Sequence, residues 1–523
     1  MIIDQKQWNS ALLAAAIFTL SSVVGSPSSF AQSHPAPLGI FEDHNDVGAV
    51  LHPGTANYNK NADAYILTGS GENMWFAEDD FHFAWKKVAG DIALSANIAF
   101  TSDTGNAHRK AVLMIRQSLE PGSLAVDIAR HGNGLTALQF RLTPGGIDHE
   151  IELNVPAPQR VRIEKRGDFF YAFASGPDGK LQPTGASIKL HLTGDYYIGI
   201  GVCAHDEDAA TTATFGNVKL GTLTAATTKP VLWSTLETVP IASTDRRVAY
   251  FAPAHFEAPN WSRDGSFYLF NQDGGIWKLA ASTSQLPDGK SGALTRIETG
   301  AQVKCNNDHG LSPDGATLAI SDSTAQGKSL VYTVPLAGGA PKQITTAAPS
   351  YWHGWSPDGQ TLAFTGQRTV DGKLDFDIYA ISVNGGEEHR LTTTPGLDDG
   401  PEYSPDGQWI YFNSERTGHM QIWRMHPDGT QQEQFISSET NDWFPHISPD
   451  GKWMIFISFE PGVTGHPPDK DVQLQVMSLA DKKTKLLATL FGGQGTINVP
   501  SWSPDSTKVA FVSYEYLPDE PRE

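Results

Sequence analysis

The sequence predicts an all-β protein in two parts, a β-sandwich of jelly-roll type followed by a six-bladed β-propeller. Three observations carry this. A hydrophobic or aromatic residue followed by Ser-Pro-Asp-Gly, or a close variant, returns six times in the last half of the chain. The region ahead of it alternates in short strands separated by turn residues. No long helical period interrupts residues 38–222.

The chain opens on a segment that reads as a secretory signal over residues 1–31. Lys6 supplies a thin positive start, Ala11 to Leu20 an apolar run, and Ser29-Phe30-Ala31 a small-x-small cleavage site. The run is too short for a comfortable membrane span, so no span is expected after signal removal. The mature protein is read as periplasmic or secreted. Two cysteines, Cys203 and Cys305, fall in different parts of the chain, so no disulfide staple is expected.

Residues 38–222 read as the sandwich. Ile92, Leu94, Ala96, Ile98 and Phe100 alternate with smaller or polar neighbours, Val161-Arg162-Ile163-Glu164 alternates cleanly, and Phe169 to Phe173 is a core strand. Thr143-Pro144-Gly145-Gly146 and Gly176-Pro177-Asp178-Gly179 are turn chemistry. The stretches Trp75 to Phe83, Trp85 to Asp91 and His108 to Arg116 resemble the concanavalin-A-like modules found beside bacterial secreted enzymes and propellers. The resemblance implies a sugar-binding module or a spacer. Residues 223–235, rich in Thr and Ala, read as a linker.

Residues 236–523 carry the repeat. The phrases are centred on Ser262, Ser312, Ser356, Ser404, Ser448 and Ser503, spaced 50, 44, 48, 44 and 55 residues apart. A period in this range with short strands between marks a blade array. Each unit fits four strands. The first ends in the aromatic-Ser part, and Pro-Asp-Gly makes the turn, with Pro pre-setting φ and Gly accepting a left-handed conformation. A second strand such as Thr361–Phe364, a third such as Asp377–Ile381 and a short polar fourth such as His389–Leu391 follow. After Ser503 there is room for two strands only, Val499–Ser503 and Lys508–Ser513. Ser234–Ile241 and Arg246–Phe251 are expected to complete the last blade from the other end, which removes free sheet edges. The phrases resemble the PD40/WD40-like repeats of TolB-like six-bladed propellers of the bacterial envelope. That family includes scaffolds, lyases and peptidase accessory domains.

The net charge of −20 argues against nucleic acid or an anionic membrane as partner and suits neutral or cationic ligands. The residues for such a ligand are read by aligning the blades. Three positions before each repeat serine stand Pro259, His309, His353, Pro401, Pro445 and Pro500. Proline suits the start of an inner strand; His309 and His353 have no such structural reason. Loops leading into the inner strands add Glu257, Asn306, Asn307, Asp308, Tyr351, Trp352, Asp399, Asp442, Trp443, Gln494 and Asn498. His446 follows one place after its proline, and Arg416 lies after a second strand. The ligand site is expected at the propeller mouth, on Glu257, Asn307, Asp308, His309, Trp352, His353, Asp399, Arg416, Asp442, Trp443, His446, Gln494 and Asn498.

Carboxylates and amides with aromatic faces suit carbohydrate, or a docking envelope protein. His309, His353 and His446 are the candidate ligands of a divalent metal ion. Asp442 to Ser448 also resembles the neighbourhood of the metal site in oligogalacturonate lyases, but Phe444 stands at a histidine-like position, leaving His446 to carry over with His353 or His309 beside it. A polysaccharide lyase or glycoside hydrolase is therefore the enzymatic alternative to a binding protein, with no base assigned. No G-x-S-x-G elbow and no complete Walker loop occur.

Overall fold

The computed structural model describes residues 38–225, 228–281, 294–370 and 372–519. The proposed signal lies outside them. Among the described residues every regular element is a β-strand and none is a helix. Leu38–Glu523 fall into one compact unit.

The N-terminal half builds two antiparallel sheets that face each other. One contains Phe81–Val88, Lys110–Arg116, Ala125–His131, Thr136–Arg141 and Tyr196–Cys203; the other contains Ala64–Gly71, Ile92–Phe100, Arg160–Arg166, Phe169–Ser175 and Asp206–Thr222. Period-two alternation sends Leu113, Ile115, Val126, Ile128, Ile198 and Ile200 from the first sheet, and Leu94, Ile98, Val161, Ile163, Phe170 and Phe215 from the second, into one shared core.

Beyond it stand five four-stranded antiparallel blades, whose inner strands are Phe256–Trp261, Cys305–Leu311, Ser350–Trp355, Asp398–Tyr403 and Asn441–Ile447. The propeller therefore has at least five blades. The turn phrase repeats atom for atom. Ser356 Oγ donates to Asp358 Oδ1 at 2.5 Å and accepts from the Thr361 N–H at 2.9 Å, while Gly359 takes φ 69°. The same serine–aspartate bond forms at Ser262, Ser312, Ser404, Ser448 and Ser503. Hydrogen bonding to Ser262 and Ser266 lowers the Asp264 pKa to about 2, so the turn acid is a carboxylate at any ordinary pH.

Three further strands are drawn from both ends of the repeat region. Pro230–Pro240 pairs along its length with Lys508–Pro518 and on its other side with Arg246–Ala252. The expected strand over 499–503 is reduced to a bridge between Trp502 and Val509, since Pro500 and Pro504 lack the ladder donor. Pro230–Pro240 also begins inside the Thr/Ala-rich segment. Arg246–Ala252 then pairs in parallel with His149–Glu152, so these strands are continuous with the first N-terminal sheet.

Candidate functional site

The inner strands share an irregularity that positions the site. Pairing with the second strand slips between Glu257 and Asn260, Cys305 and His309, Trp352 and Gly354, Asp399 and Glu402, and Trp443 and His446. Each slip lies just upstream of the repeat phrase. In the first, fourth and fifth blades the residue before the proline, Ala258, Gly400 or Phe444, takes a left-handed φ of 59°, 63° or 55°. For Ala258 and Phe444 this is a strained conformation that glycine would adopt freely, of order 1–3 kcal/mol each. Bulges re-aim side chains, and here they do so at the same level of five blades.

A cavity of about 290 Å³ opens at this level, lined by Asn306, Asp308, Tyr351, His353, Thr365, Phe376, Leu397, Asp399, His466, Gln494 and Asn498. A chain of charges crosses it. His353 Nε2 lies 3.3 Å from Asp399 Oδ1 and 4.0 Å from Asp308 Oδ1, and His466 Nε2 approaches Asp399 Oδ2 at 3.5 Å. Asn498 Nδ2 and Asn306 Nδ2 each donate to Asp308 at 2.6 Å, and Thr365 Oγ1 donates to Asp399 at 2.7 Å.

The environment splits the two acids. Burial would raise the Asp399 carboxyl, but the hydrogen bonds from His353 and His466 and their charges outweigh it and hold Asp399 well below the usual range. Burial dominates at Asp308 and pushes it up, with the Asp399 charge adding to the rise and His353 opposing it. Burial would lower His353, yet the Asp308 charge and the bond to Asp399 carry it above its ordinary value. The two acids thus favour opposite protonation states, and Asp399 favours the charged form of His353.

Five residues expected at the mouth line this cavity: Asp308, His353, Asp399, Gln494 and Asn498. The others are held elsewhere. Arg416 pairs with Asp398 at 2.8 Å, donates to Gln432 and lies over the Trp423 ring. Asp442 accepts from Ser438, Thr440 and Ser458. Glu257 pairs with His255 and bonds Asn307. Trp443 is buried, with the His466 ring edge-on at 4.4 Å. Trp352 is buried and lines a different cavity.

The three histidines separate. His446 Nε2 donates to the Ile497 carbonyl and its Nδ1 meets Glu402 Oε2, both at 2.5 Å. His309 is fully buried with neither ring nitrogen bonded to a protein group, and burial pushes its pKa down to about 4, so it is a neutral ring in the wall. Among the described residues no group of three or more His, Cys, Asp or Glu is placed to hold a metal ion. His309, His353 and His446 are placed apart: the His353 ring lines the cavity, His309 lies buried in the wall, and His446 bonds Glu402 of the fourth blade and the Ile497 carbonyl.

His466 is the residue the blade alignment did not assign. It comes from the long segment 460–469 inserted between the second and third strands of the fifth blade, packs edge-on against Trp443 and Phe444, and meets the acid of the fourth blade. A histidine in an insertion bordering the mouth was the available signal.

The TolB beta propeller domain family matches residues 347–514. An uncharacterized protein of Agrobacterium fabrum, Atu1656, is 46% identical over 281 residues, covering 54% of this chain and 92% of its own length. The chain belongs to the TolB-like β-propeller family. A solved structure from Agrobacterium tumefaciens, provisionally assigned to TolB, is 46% identical, with 54% of this chain and 99% of that one covered at a TM-score of 0.51. The Tol-Pal system protein TolB of Bordetella pertussis is 40% identical over 119 residues, which is 23% of this chain and 26% of that protein. This chain thus spans about a quarter of that TolB's length.

Proposed function

We propose that this is an exported, envelope-located binding protein whose propeller takes a carbohydrate residue in the mouth cavity. In this reading the strands Pro230–Pro240, Arg246–Ala252 and Lys508–Pro518, with the Trp502 bridge, are a sixth blade. The two N-terminal sheets are a concanavalin-A-like sandwich, and residues 1–31 are a signal that is removed. The observation that carries the reading is the cavity of about 290 Å³ lined by carboxylates (Asp308, Asp399) and amides (Asn306, Gln494, Asn498) together with the apolar Phe376 and Leu397. Hydroxyl groups offer donors and acceptors at fixed angles, and such a lining satisfies both. A volume of this size holds one sugar ring, so the ligand is the end of a chain or a short side branch. No assigned base accompanies the acids, which favours binding over cleavage.

A second reading, docking of an envelope protein at the same mouth, is favoured by the likeness to a Tol-Pal system protein. The two separate on one experiment. Glycan-array binding by the wild type that is lost in Asp308→Asn and His466→Ala supports the carbohydrate reading. No glycan binding, with a proteinaceous partner crosslinked from envelope extracts and lost in the same variants, replaces it by the second. Unsaturated or reducing-end products from a polysaccharide panel would instead promote the lyase or hydrolase alternative.

A further inference from the structure

A second cavity, of about 260 Å³, lies where the N-terminal sheets meet the last strands of the propeller. One wall is Phe169 and Tyr171 with Ile188 and Lys189; the other is Phe491, Tyr514 and Tyr516. Phe169 and Tyr171 are two residues apart on one strand and so share a face. Their rings stack nearly parallel, 6.2 Å apart at 18°, with Lys189 Nζ 5.6 Å from the centre of the Phe169 ring. Opposite, Phe491 and Tyr516 meet edge to face at 6.2 Å, and Tyr516 is 43% exposed at the rim.

Charge at this seam is compensated. Lys189 pairs with Asp471 across the two parts at 2.6 Å, and Arg246 pairs with the buried Glu237 at 3.0 Å. Glu515 is engaged as well. The two lining cations, Lys189 and Arg246, are therefore each already paired with a carboxylate. Beside them is aromatic surface with the hydroxyls of Tyr171, Ser187 and Thr489 in the lining, while Ser513 donates to Glu237 at 2.6 Å and Tyr516 to Asp469 at 3.1 Å. Flat aromatic surface covers the C–H face of a pyranose, and hydroxyls at its edge meet the ring's own. Burying an ionised sugar acid here would leave its charge unpaired.

We propose that this seam is a binding site for a neutral pyranose residue, separate from the propeller mouth. It is held by the stacked Phe169–Tyr171 pair on one side and Tyr516 on the other. It does not rest on the mouth reading, since no lining residue is shared. Because the ligand would touch both parts of the chain, it ties them together, and binding raises the melting temperature.

The test is calorimetry and thermal melting of the full chain with neutral cello-, manno-, xylo- and malto-hexaose, and with a galacturonate hexamer. At least one neutral oligosaccharide is expected to bind and raise Tm. Phe169→Ala and Tyr516→Ala should each weaken it about tenfold, Tyr516→Trp should retain it, and His353→Ala should leave it intact. Failure of all four neutral oligosaccharides to bind overturns the proposal. So does binding that survives both ring deletions, or binding of the galacturonate hexamer alone. Loss of binding in His353→Ala with retention in Phe169→Ala assigns the sugar to the mouth and sinks the seam site while sparing the mouth reading.

Discussion

At the residue scale, His309 and His353 occupy equivalent places in neighbouring blades and titrate in opposite senses. His353 lies between Asp308 and Asp399 and is raised above its ordinary 6.5; His309 is lowered to about 4 by burial, which outweighs the opposing Asn307 backbone. The signs follow from linkage. The ion pair of His353 adds stability that is complete below pH 6.5 and is lost as pH rises through its folded value. Neutral burial of His309 costs stability as pH falls from 6.5 toward 4, because the unfolded chain takes up a proton that the folded one refuses. Urea midpoints measured from about pH 4 to pH 8 separate the two. His353→Asn leaves two buried acids with less compensation and should cost about 3 kcal/mol near pH 5, with the deficit shrinking toward pH 8. His309→Leu should flatten the acid limb instead. A deficit in His353→Asn that is constant with pH would show that the ring acts by packing alone.

At the element scale, the inner strands are where the sequence stops predicting side-chain direction. The repeat phrase fixes the turns, and the second, third and fourth strands of each blade fall where spacing places them. Upstream of the phrase the pairing slips, by one residue in four blades and by two in the second, so the period-two rule that would aim His309, His353 and His446 fails locally. His466 was harder still, because an insertion has no counterpart in the other blades to be aligned with. Pro500 and Pro504 were legible as residues, yet their effect on the strand between them required knowing its neighbours.

The slip also sets a tight contact. A Cβ on Gly310 would stand 2.1 Å from Trp352 Cη2, with no left-handed φ at Gly310 to add strain. Gly310→Ala should therefore cost about 1–3 kcal/mol by displacing the Trp352 ring. Gly310→Ala with Trp352→Leu should cost less than the sum of the single changes. Gly354→Ala is the contrast, since its Cβ would meet the Pro401 carbonyl at 2.7 Å, backbone that no side-chain change relieves. Additive losses in the Gly310/Trp352 cycle would mean that the ring is not what excludes the methyl.

At the scale of the whole molecule, the question is what holds the ends together. Pro230–Pro240 has Lys508–Pro518 on one side and Arg246–Ala252 on the other, and the latter continues into the N-terminal sheet through His149–Glu152. Leu236, Ala510, Val512 and Tyr514 from the two ends of the repeat region pack with Tyr250 of the strand between and with Phe256 and Phe270 of the blade beside them. Val248 from the same region enters the core of the N-terminal sheets. The last strand is therefore shared by the ring and by its junction with the N-terminal half. A chain ending at residue 507 loses its eleven paired positions against Pro230–Pro240. It leaves that strand with an open edge and exposes Leu236 to water, so closure and junction should fail together. The expected result is loss of near-UV dichroism, early proteolysis within 228–281, and a broad melt in place of one cooperative transition, while a chain ending at residue 519 behaves as wild type. If the chain ending at 507 melts cooperatively within a few degrees of wild type, the blades support one another without the closing strand, and the pairing of the two ends is a consequence of the fold rather than its fastening.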